Sequence, residues 1–182
     1  MITWLKAEEQ HQHKNGKGWI ANTVKIDDSV FVGPNARVSG NAQVYGNARV
    51  SGNAWVSGNA WVSGNAQVFG DAWVYGATQV YGNAWVSGNA RVYGDAQVYG
   101  DARMSSDALV FGGDWTQTPF FIQGTKHGVS NSSHGKLSIG CITLTFAEWK
   151  KQYRAIGRHE GYTEKQIKEY GSIIALAAKI GK

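Results

Sequence analysis

Aliphatic residues recur at every sixth position across half of the chain. All sixteen positions of this series, from Ile20 to Val110, hold an aliphatic residue, and most hold valine. A second series lies four residues after the first and is mostly alanine, interrupted by Thr78 and, at its end, by Asp114. Glycine followed by asparagine or aspartate, as at 40–41, separates the two series. Such pairs form corners, because they take positive φ at little steric cost.

An inward aliphatic residue, a glycine corner and a small inward residue, repeated without insertion, predict a narrow triangular parallel β-solenoid. Three hexapeptides make one coil of eighteen residues, so residues 20–115 predict a little over five coils, stacked at about 4.8 Å. Residues 1–19 are the expected N-terminal cap, because exposed end coils would present unpaired strand edges. Residues 116–182 form the third predicted region, a C-terminal segment with its own strands and helices.

The C-terminal segment begins where the six-residue register fails, at residues 113–116. The stretch 119–124 predicts a strand that leaves the solenoid, and 137–145 predicts a short strand pair. Capping-box sequences at Thr145–Glu148 and Thr163–Gln166 then predict two helices.

We expect these two helices to form a small helical hairpin. Glycines mark their predicted ends, because glycine takes the left-handed conformation that closes a helix. The predicted end residues are Gly157 and Gly181.

The repeated Val-Ser-Gly-Asn-Ala sequence, as at 38–42, resembles the hexapeptide-repeat superfamily. That resemblance covers about half of the chain and implies a left-handed β-helix. Within the superfamily the chain is most similar to uncharacterised phage and prophage proteins described as transferase-like or polymer-forming. Their tails resemble Leu-Ser-Ile-Gly-Cys at 137–141 and Gly-Tyr-Thr-Glu at 161–164. The resemblance therefore implies a phage-related protein of the host cell cytoplasm.

Composition agrees with a cytoplasmic location. Cys141 is the single cysteine, which excludes an internal disulfide and suits a reducing compartment. No apolar run reaches the length of a membrane span, so we expect no membrane partner. The formal charge of +5 belongs to residues 116–182, which carry ten lysines and arginines against four glutamates. Without a recognised DNA-binding motif, these basic residues indicate a solvated helix face more often than a nucleic-acid partner.

Hexapeptide solenoids include acyltransferases and carbonic anhydrases, so catalysis is the alternative to a binding role. Acyl transfer needs a general base, normally histidine, and the anhydrases bind a metal through histidines of neighbouring coils. Residues 20–115 contain no histidine, and the six-residue spacing never opens for an inserted loop. We therefore expect no catalytic residue, no metal and no cofactor, and an acetyl-CoA-dependent acyltransferase is the second hypothesis.

The remaining histidines and the cysteine offer weak candidates for chemistry. His11 and His13 could bind a metal from one strand face, but exposed polar side chains are the more common interpretation. His127, His134 and Cys141 lie loosely together in the sequence without the spacing of a known catalytic motif. Because Cys141 sits in an apolar stretch, we expect a buried and inert thiol there.

The residues on either side of each core valine face outward, and many of them are aromatic. Eighteen-residue spacing stacks them in columns. The first face carries Arg37, Trp55, Trp73, Arg91 and Leu109 beside Ser39, Ser57, Tyr75, Tyr93 and Phe111. The second carries Gln43, Trp61, Gln79 and Gln97 beside Tyr45, Ser63, Tyr81 and Tyr99. The candidate ligand or interface residues are Arg37, Trp55, Trp61, Trp73, Tyr75, Tyr81, Arg91, Tyr93 and Tyr99.

Three interpretations fit these columns. The rings can stabilise the sheets from outside through cross-strand pairs. They can form an interface between copies, with a homotrimer favoured, because exposed aromatic patches mark interfaces. Arginines beside stacked rings also suit a nucleotide. The sequence therefore predicts a non-enzymatic binding protein that associates with itself and sequesters a nucleotide signal or a host defence protein.

Overall fold

A computed structural model describes residue 6 and residues 9–105, 108–133 and 135–180, except for the side chains of 132 and 133. The described residues divide into two compact units, one ending at Thr118 and the other beginning at Pro119. Among the described residues, no helix combines the length and the apolar character that crossing a bilayer requires.

The first unit consists of short strands at regular intervals. These strands are β1 (Gln10–Gln12), β2 (Trp19–Ala21), β3 (Lys25–Ile26), β4 (Phe31–Val32), β5 (Arg37–Val38), β6 (Gln43–Val44), β7 (Arg49–Val50), β8 (Trp55–Val56), β9 (Trp61–Val62), β10 (Gln67–Val68), β11 (Trp73–Val74), β12 (Gln79–Val80), β13 (Trp85–Val86), β14 (Arg91–Tyr93), β15 (Gln97–Val98), β16 (Arg103–Met104), β17 (Leu109–Phe111) and β18 (Asp114–Trp115).

From β2 onward, every third strand lies in the same parallel sheet, so the chain passes through three sheets in each coil. Sheet A has the order β1-β2-β5-β8-β11-β14-β17, sheet B the order β18-β15-β12-β9-β6-β3, and sheet C the order β16-β13-β10-β7-β4. Val56 lies opposite Val74, and Val74 opposite Val92. This topology confirms the predicted parallel β-solenoid of about five coils, whereas its left-handed winding stays a prediction.

The core of the solenoid is a column of stacked aliphatic side chains. Each inward valine from Val44 to Val98 is fully buried, and so are the alanines that follow the corners. Thr78 is the polar member of this core, and its hydroxyl donates to the carbonyl of Tyr75 at 2.7 Å. The two sequence series thus form one continuous apolar interior.

Glycine corners stack directly on one another, and this geometry requires glycine for two reasons. Gly52 has a φ of +65°, a conformation that L-residues other than glycine rarely adopt. A Cβ atom on Gly52 would also lie 2.8 Å from the backbone nitrogen and oxygen of Gly70 in the next coil. Asparagine ladders continue the stacking beside these corners, with Asn65 Nδ2 donating to Asn83 Oδ1 at 3.1 Å.

The N-terminal segment covers the first coil. Strand β1 pairs antiparallel with β2, and the chain after it exchanges hydrogen bonds with Val32, which donates to Asn15 and accepts from Gly18. His13 is buried there, and its Nε2 lies 2.9 Å from the carbonyl oxygen of Val30. The prediction that His13 is exposed is therefore wrong, because the segment folds over the coil end. His11 is exposed, as expected.

The last coil ends with a register change that the sequence pattern conceals. Trp115 lies opposite Val98 in sheet B, so the core position shifts from Thr116 to its neighbour. The Trp115 side chain is buried, and its Nε1 donates to the carbonyl of Gly112 at 2.9 Å. The solenoid therefore continues one strand beyond the point where the six-residue pattern fails.

The second unit has a four-stranded antiparallel sheet followed by two helices. Its elements are β19 (Phe121–Gln123), β20 (Gly128–Ser133), β21 (Lys136–Ile139), β22 (Ile142–Thr145), α1 (Phe146–His159) and α2 (Glu164–Ile180). The predicted strand pair and both helices are confirmed. The hydroxyl of Thr145 accepts from the backbone nitrogen of Glu148 at 3.2 Å, and that of Thr163 accepts from Gln166 at 3.3 Å.

The end predicted for the first helix is wrong. Gly157 lies inside α1 and is buried. A Cβ atom there would come within 2.9 Å of the Ile167 side chain. Gly157 is thus a close-packing position between α1 and α2. The residue with positive φ is Gly161, at +68°, and it follows the helix. Gly181 lies outside the described residues.

Replacing a corner glycine will separate the conformational cost from the steric cost. Gly52 and Gly100 share a φ of +65°, but the nearest atom to a Cβ on Gly100 would be Thr116 O at 3.9 Å. Both Gly→Ala variants should lose about 1–2 kcal/mol of the free energy of unfolding, because alanine is strained at this positive φ. Gly52→Ala should lose about 1–3 kcal/mol more, because its Cβ atom would crowd the backbone of Gly70 in the next coil. Urea unfolding followed by circular dichroism measures the difference, and equal losses would contradict coil-to-coil contact as its cause.

Candidate functional site

The outward residues of sheet A form the main candidate site, and we call them the sheet A aromatic face. Backbone pairing aligns them in two columns. The first column is Trp19, Arg37, Trp55, Trp73, Arg91 and Leu109, and the second is Ala21, Ser39, Ser57, Tyr75, Tyr93 and Phe111. Six of the nine predicted residues, all those on the first predicted face, thus lie together. Sequence reasoning missed Trp19, although counting eighteen residues back from Arg37 leads to it.

Two tryptophans at the centre of this face hold each other in place. The rings of Trp55 and Trp73 are 5.4 Å apart and meet edge to face at 69°. Trp55 Nε1 also donates to the Ser39 hydroxyl at 3.0 Å. The Arg91 guanidinium lies over the Trp73 ring, 5.2 Å from its centroid. Because both indoles have neighbours on several sides, they offer a preorganised surface.

A groove opens on the N-terminal side of this tryptophan pair, and we call it the Arg37 groove. Its volume is about 550 Å³, and it is lined by Trp19, Pro34, Asn35, Arg37, Asn53, Trp55 and Trp73. A smaller depression of about 280 Å³ lies on the other side of the pair, against Ser57 and Tyr75. Both volumes belong to surface depressions of the size that small ligands or partner side chains fill.

The charge of the face is entirely positive. Arg37 and Arg91 are the charged residues among its twelve members, and none of the seven residues lining the Arg37 groove is acidic. The nearest acid in sequence, Asp71, accepts a hydrogen bond from Asn53 Nδ2 at 2.9 Å and does not line the groove. The face therefore favours an anionic or electron-rich ligand.

The C-terminal end of the face is an aromatic ladder whose last ring, Phe111, is tilted by 43° from Tyr93. Tyr75 and Tyr93 stack with their rings 5.2 Å apart and nearly parallel, and Phe111 continues the ladder at 5.3 Å. Burial, and after it the neighbouring Tyr93, raises the pKa of Tyr75 above its ordinary value. Leu109 and Phe111 are 44% and 55% exposed, which leaves an apolar patch at this end.

The other three predicted residues lie on a different sheet. Tyr81 and Tyr99 of sheet B stack with their rings 4.9 Å apart and parallel, and Trp61 is 47% exposed beside them. The structure thus divides the nine candidates between two surfaces.

Arginine–aromatic stacking also occurs on sheet C, the third face of the solenoid. The Arg49 guanidinium lies 4.4 Å from the Phe31 ring centroid, and Arg103 lies 4.5 Å from that of Trp85. Such pairs therefore stabilise the sheets from outside on two of three faces. On sheet A the aromatic face also borders the Arg37 groove.

The second unit contains a small pocket around His127. Its volume is about 60 Å³, and Trp149, Tyr162 and Tyr170 are among its lining residues. The Tyr170 hydroxyl donates to the carbonyl of His127 at 2.7 Å, and the Tyr162 hydroxyl contacts His127 Nδ1. Burial, and after it the neighbouring Tyr170, raises the pKa of Tyr162 to about 12. These contacts tie β19–β20 to the helices, and the space left is small for a ligand.

Cys141 corrects a second expectation. It lies in the turn between β21 and β22 and is exposed, not buried within a strand, because Ile139 and Ile142 end and begin the two strands. His134, its proposed neighbour, lies outside the described residues. Within the described part of the chain, no group of three or more histidine, cysteine or acidic side chains could hold a metal.

Comparison with known proteins identifies the repeat and not an activity. The family model described as YdcK Beta solenoid repeat matches residues 42–58, 66–82, 78–94 and 84–100. These matches lie entirely within the solenoid and span less than a third of the 182 residues. No curated protein and no solved structure matches the chain. The chain thus carries a β-solenoid repeat similar to that of YdcK, whereas its assignment to the hexapeptide-repeat superfamily and to phages stays a prediction.

Proposed function

We propose that this protein is a binding protein, not an enzyme, and that the sheet A aromatic face is its recognition surface. The observation that carries the proposal is the Arg37 groove, where three tryptophans surround one arginine. Large aromatic surfaces with a few polar groups are typical of ligand sites. The solenoid core is complete without these side chains, so their presence outside requires a separate explanation.

The groove lacks the groups that acyl transfer would need. Its lining consists of tryptophan, proline, asparagine and arginine, and none of these supplies a general base or a nucleophile at neutral pH. Residues 20–115 contain no histidine that a neighbouring coil could contribute. The acetyl-CoA-dependent acyltransferase suggested by the repeat is therefore the weaker hypothesis.

Rigidity supports a binding role. Trp55 is held by the Ser39 hydroxyl and by Trp73, so little side-chain entropy is lost when a ligand packs against it. Tryptophan also contributes more contact area than most side chains. A protein with such a surface would act by binding its ligand and keeping it from other partners. This agrees with the predicted phage-related role of sequestering a host signal or a host protein.

A co-purification experiment tests whether sheet A is the recognition surface. Tagged protein is recovered from its native cell, and bound proteins and small molecules are identified by mass spectrometry. Because the rings form the surface, Trp55→Ala with Trp73→Ala should remove what the wild type retains. Trp61→Ala on sheet B is the matched control and should retain it. Equal recovery by both variants would refute the proposal.

The C-terminal end of the same face favours self-association. Leu109 and Phe111 expose apolar area beside the stacked tyrosines, and a contiguous apolar patch of this kind marks an interface. We propose that copies of the chain associate there, as the predicted homotrimer requires. The Arg37 groove lies at the other end of the face, so one surface can serve both purposes.

Sedimentation equilibrium measures this association. Leu109→Ser with Phe111→Ser should shift the protein from trimer to monomer, because the patch loses its apolar area while the inward core residue Val110 is unchanged. Trp61→Ser removes a similar exposed apolar group from sheet B and should leave the mass unchanged. A monomeric wild type, or a trimer that survives the double substitution, would contradict the proposed interface.

A further inference from the structure

We infer that the Arg37 groove binds a nucleotide, a ligand in which a planar base is joined to a phosphate. This inference rests on the proposed function, because it names the ligand of the sheet A aromatic face. Three features of the groove support it: the spacing of its aromatic walls, its single charge and the amides at its rim.

Arg37 separates two of the tryptophans that line the groove. Trp19 and Trp55 lie on either side of Arg37 in the same column, two coils apart. Two strand spacings amount to about 9.6 Å. A planar ring that packs on an indole lies about 3.5–4.0 Å from its face, and the groove volume of about 550 Å³ has room for one base.

The neighbouring pair shows what happens without such a gap. Trp55 and Trp73 occupy adjacent coils, and their rings fill the shorter interval by packing edge to face at 5.4 Å. No ring can enter between them. The arginine at position 37 therefore interrupts the aromatic column, and the groove opens beside it.

Charge identifies the other part of the ligand. Arg37 is half-buried in the groove and is the charged residue among its seven lining residues. A guanidinium binds phosphate through two parallel hydrogen bonds, and it gains strength where aromatic walls exclude water. A neutral sugar would stack on the indoles equally well, but it would form no ion pair with the Arg37 guanidinium.

Amide side chains at the rim can contact the edge of a base. Asn35 and Asn53 are exposed residues that line the groove. Asn53 directs its Nδ2 to Asp71 at 2.9 Å, which leaves its carbonyl oxygen to accept from an exocyclic amine. Asparagine can form paired hydrogen bonds with a base edge, as the asparagine contacts to adenine in nucleic-acid recognition show.

Calorimetric titration of the full chain tests the inference with defined probes. The probes are the 5′-monophosphates of adenosine, guanosine, cytidine and uridine, the four nucleosides and inorganic phosphate. At least one monophosphate should bind about tenfold or more tightly than its nucleoside, because Arg37 contacts the phosphate. Inorganic phosphate should bind more weakly than that monophosphate, because it lacks the stacked ring.

Substitutions test whether Arg37 contacts the phosphate and whether Trp55 contacts the base. Arg37→Gln should reduce monophosphate binding to the level of the nucleoside and leave the nucleoside unchanged. Trp55→Ala should weaken both by about tenfold. Arg49→Gln, at the equivalent strand position in sheet C, and Trp61→Ala in sheet B are matched controls that should change neither. Circular dichroism verifies that each variant retains the solenoid.

Several outcomes would overturn the inference. It fails if no nucleotide binds at millimolar concentration, if nucleoside and monophosphate bind equally, or if Arg37→Gln and Arg49→Gln have the same effect. Retention of a neutral glycan or a protein in the co-purification experiment, lost with the Trp55 and Trp73 substitutions, would reject a nucleotide but keep the proposed function. The proposed function itself would be refuted if the recovery of bound molecules did not depend on Trp55 and Trp73.

Discussion

Contact between the backbones of successive coils at the glycine corners is the constraint on which the solenoid depends. Gly52 stacks on Gly70 so closely that no Cβ atom fits between them, and its φ of +65° suits glycine. This contact lets backbone hydrogen bonds continue around the corner, as when Asn41 donates to Gly58. Because the corners from Gly40 to Gly82 repeat this contact, the coils there have the same length and the sheets stay in register.

The same constraint organises the outer surface. A fixed coil length places each outward side chain directly above its counterpart one coil away, at about 4.8 Å. Flat rings at that distance stack, as Tyr75 and Tyr93 do, or pack edge to face, as Trp55 and Trp73 do. Arg37 replaces one member of the aromatic column on sheet A, and a groove opens beside it.

The two ends of the solenoid depart from the repeat, and each departure completes the core or covers an edge. At the first coil, β1 and the buried His13 occupy positions where a preceding coil would otherwise pair. At the last coil, Trp115 fills the core below Val98 although the spacing has contracted by one residue. The buried indole ends the core there, and its Nε1 donates to the carbonyl of Gly112.

The sequence by itself determined the strands, the inward columns and the capping boxes, because each follows from local spacing. It also identified Trp55, Trp73 and the stacked tyrosines as members of one outward face. Only the tertiary structure decided the features that depend on distant neighbours. The burial of His13 and the exposure of Cys141 result from how flanking segments fold over or leave the core. The Arg37 groove likewise depends on where Trp19 and Trp55 orient their rings, and one-dimensional periodicity carries no information about ring orientation.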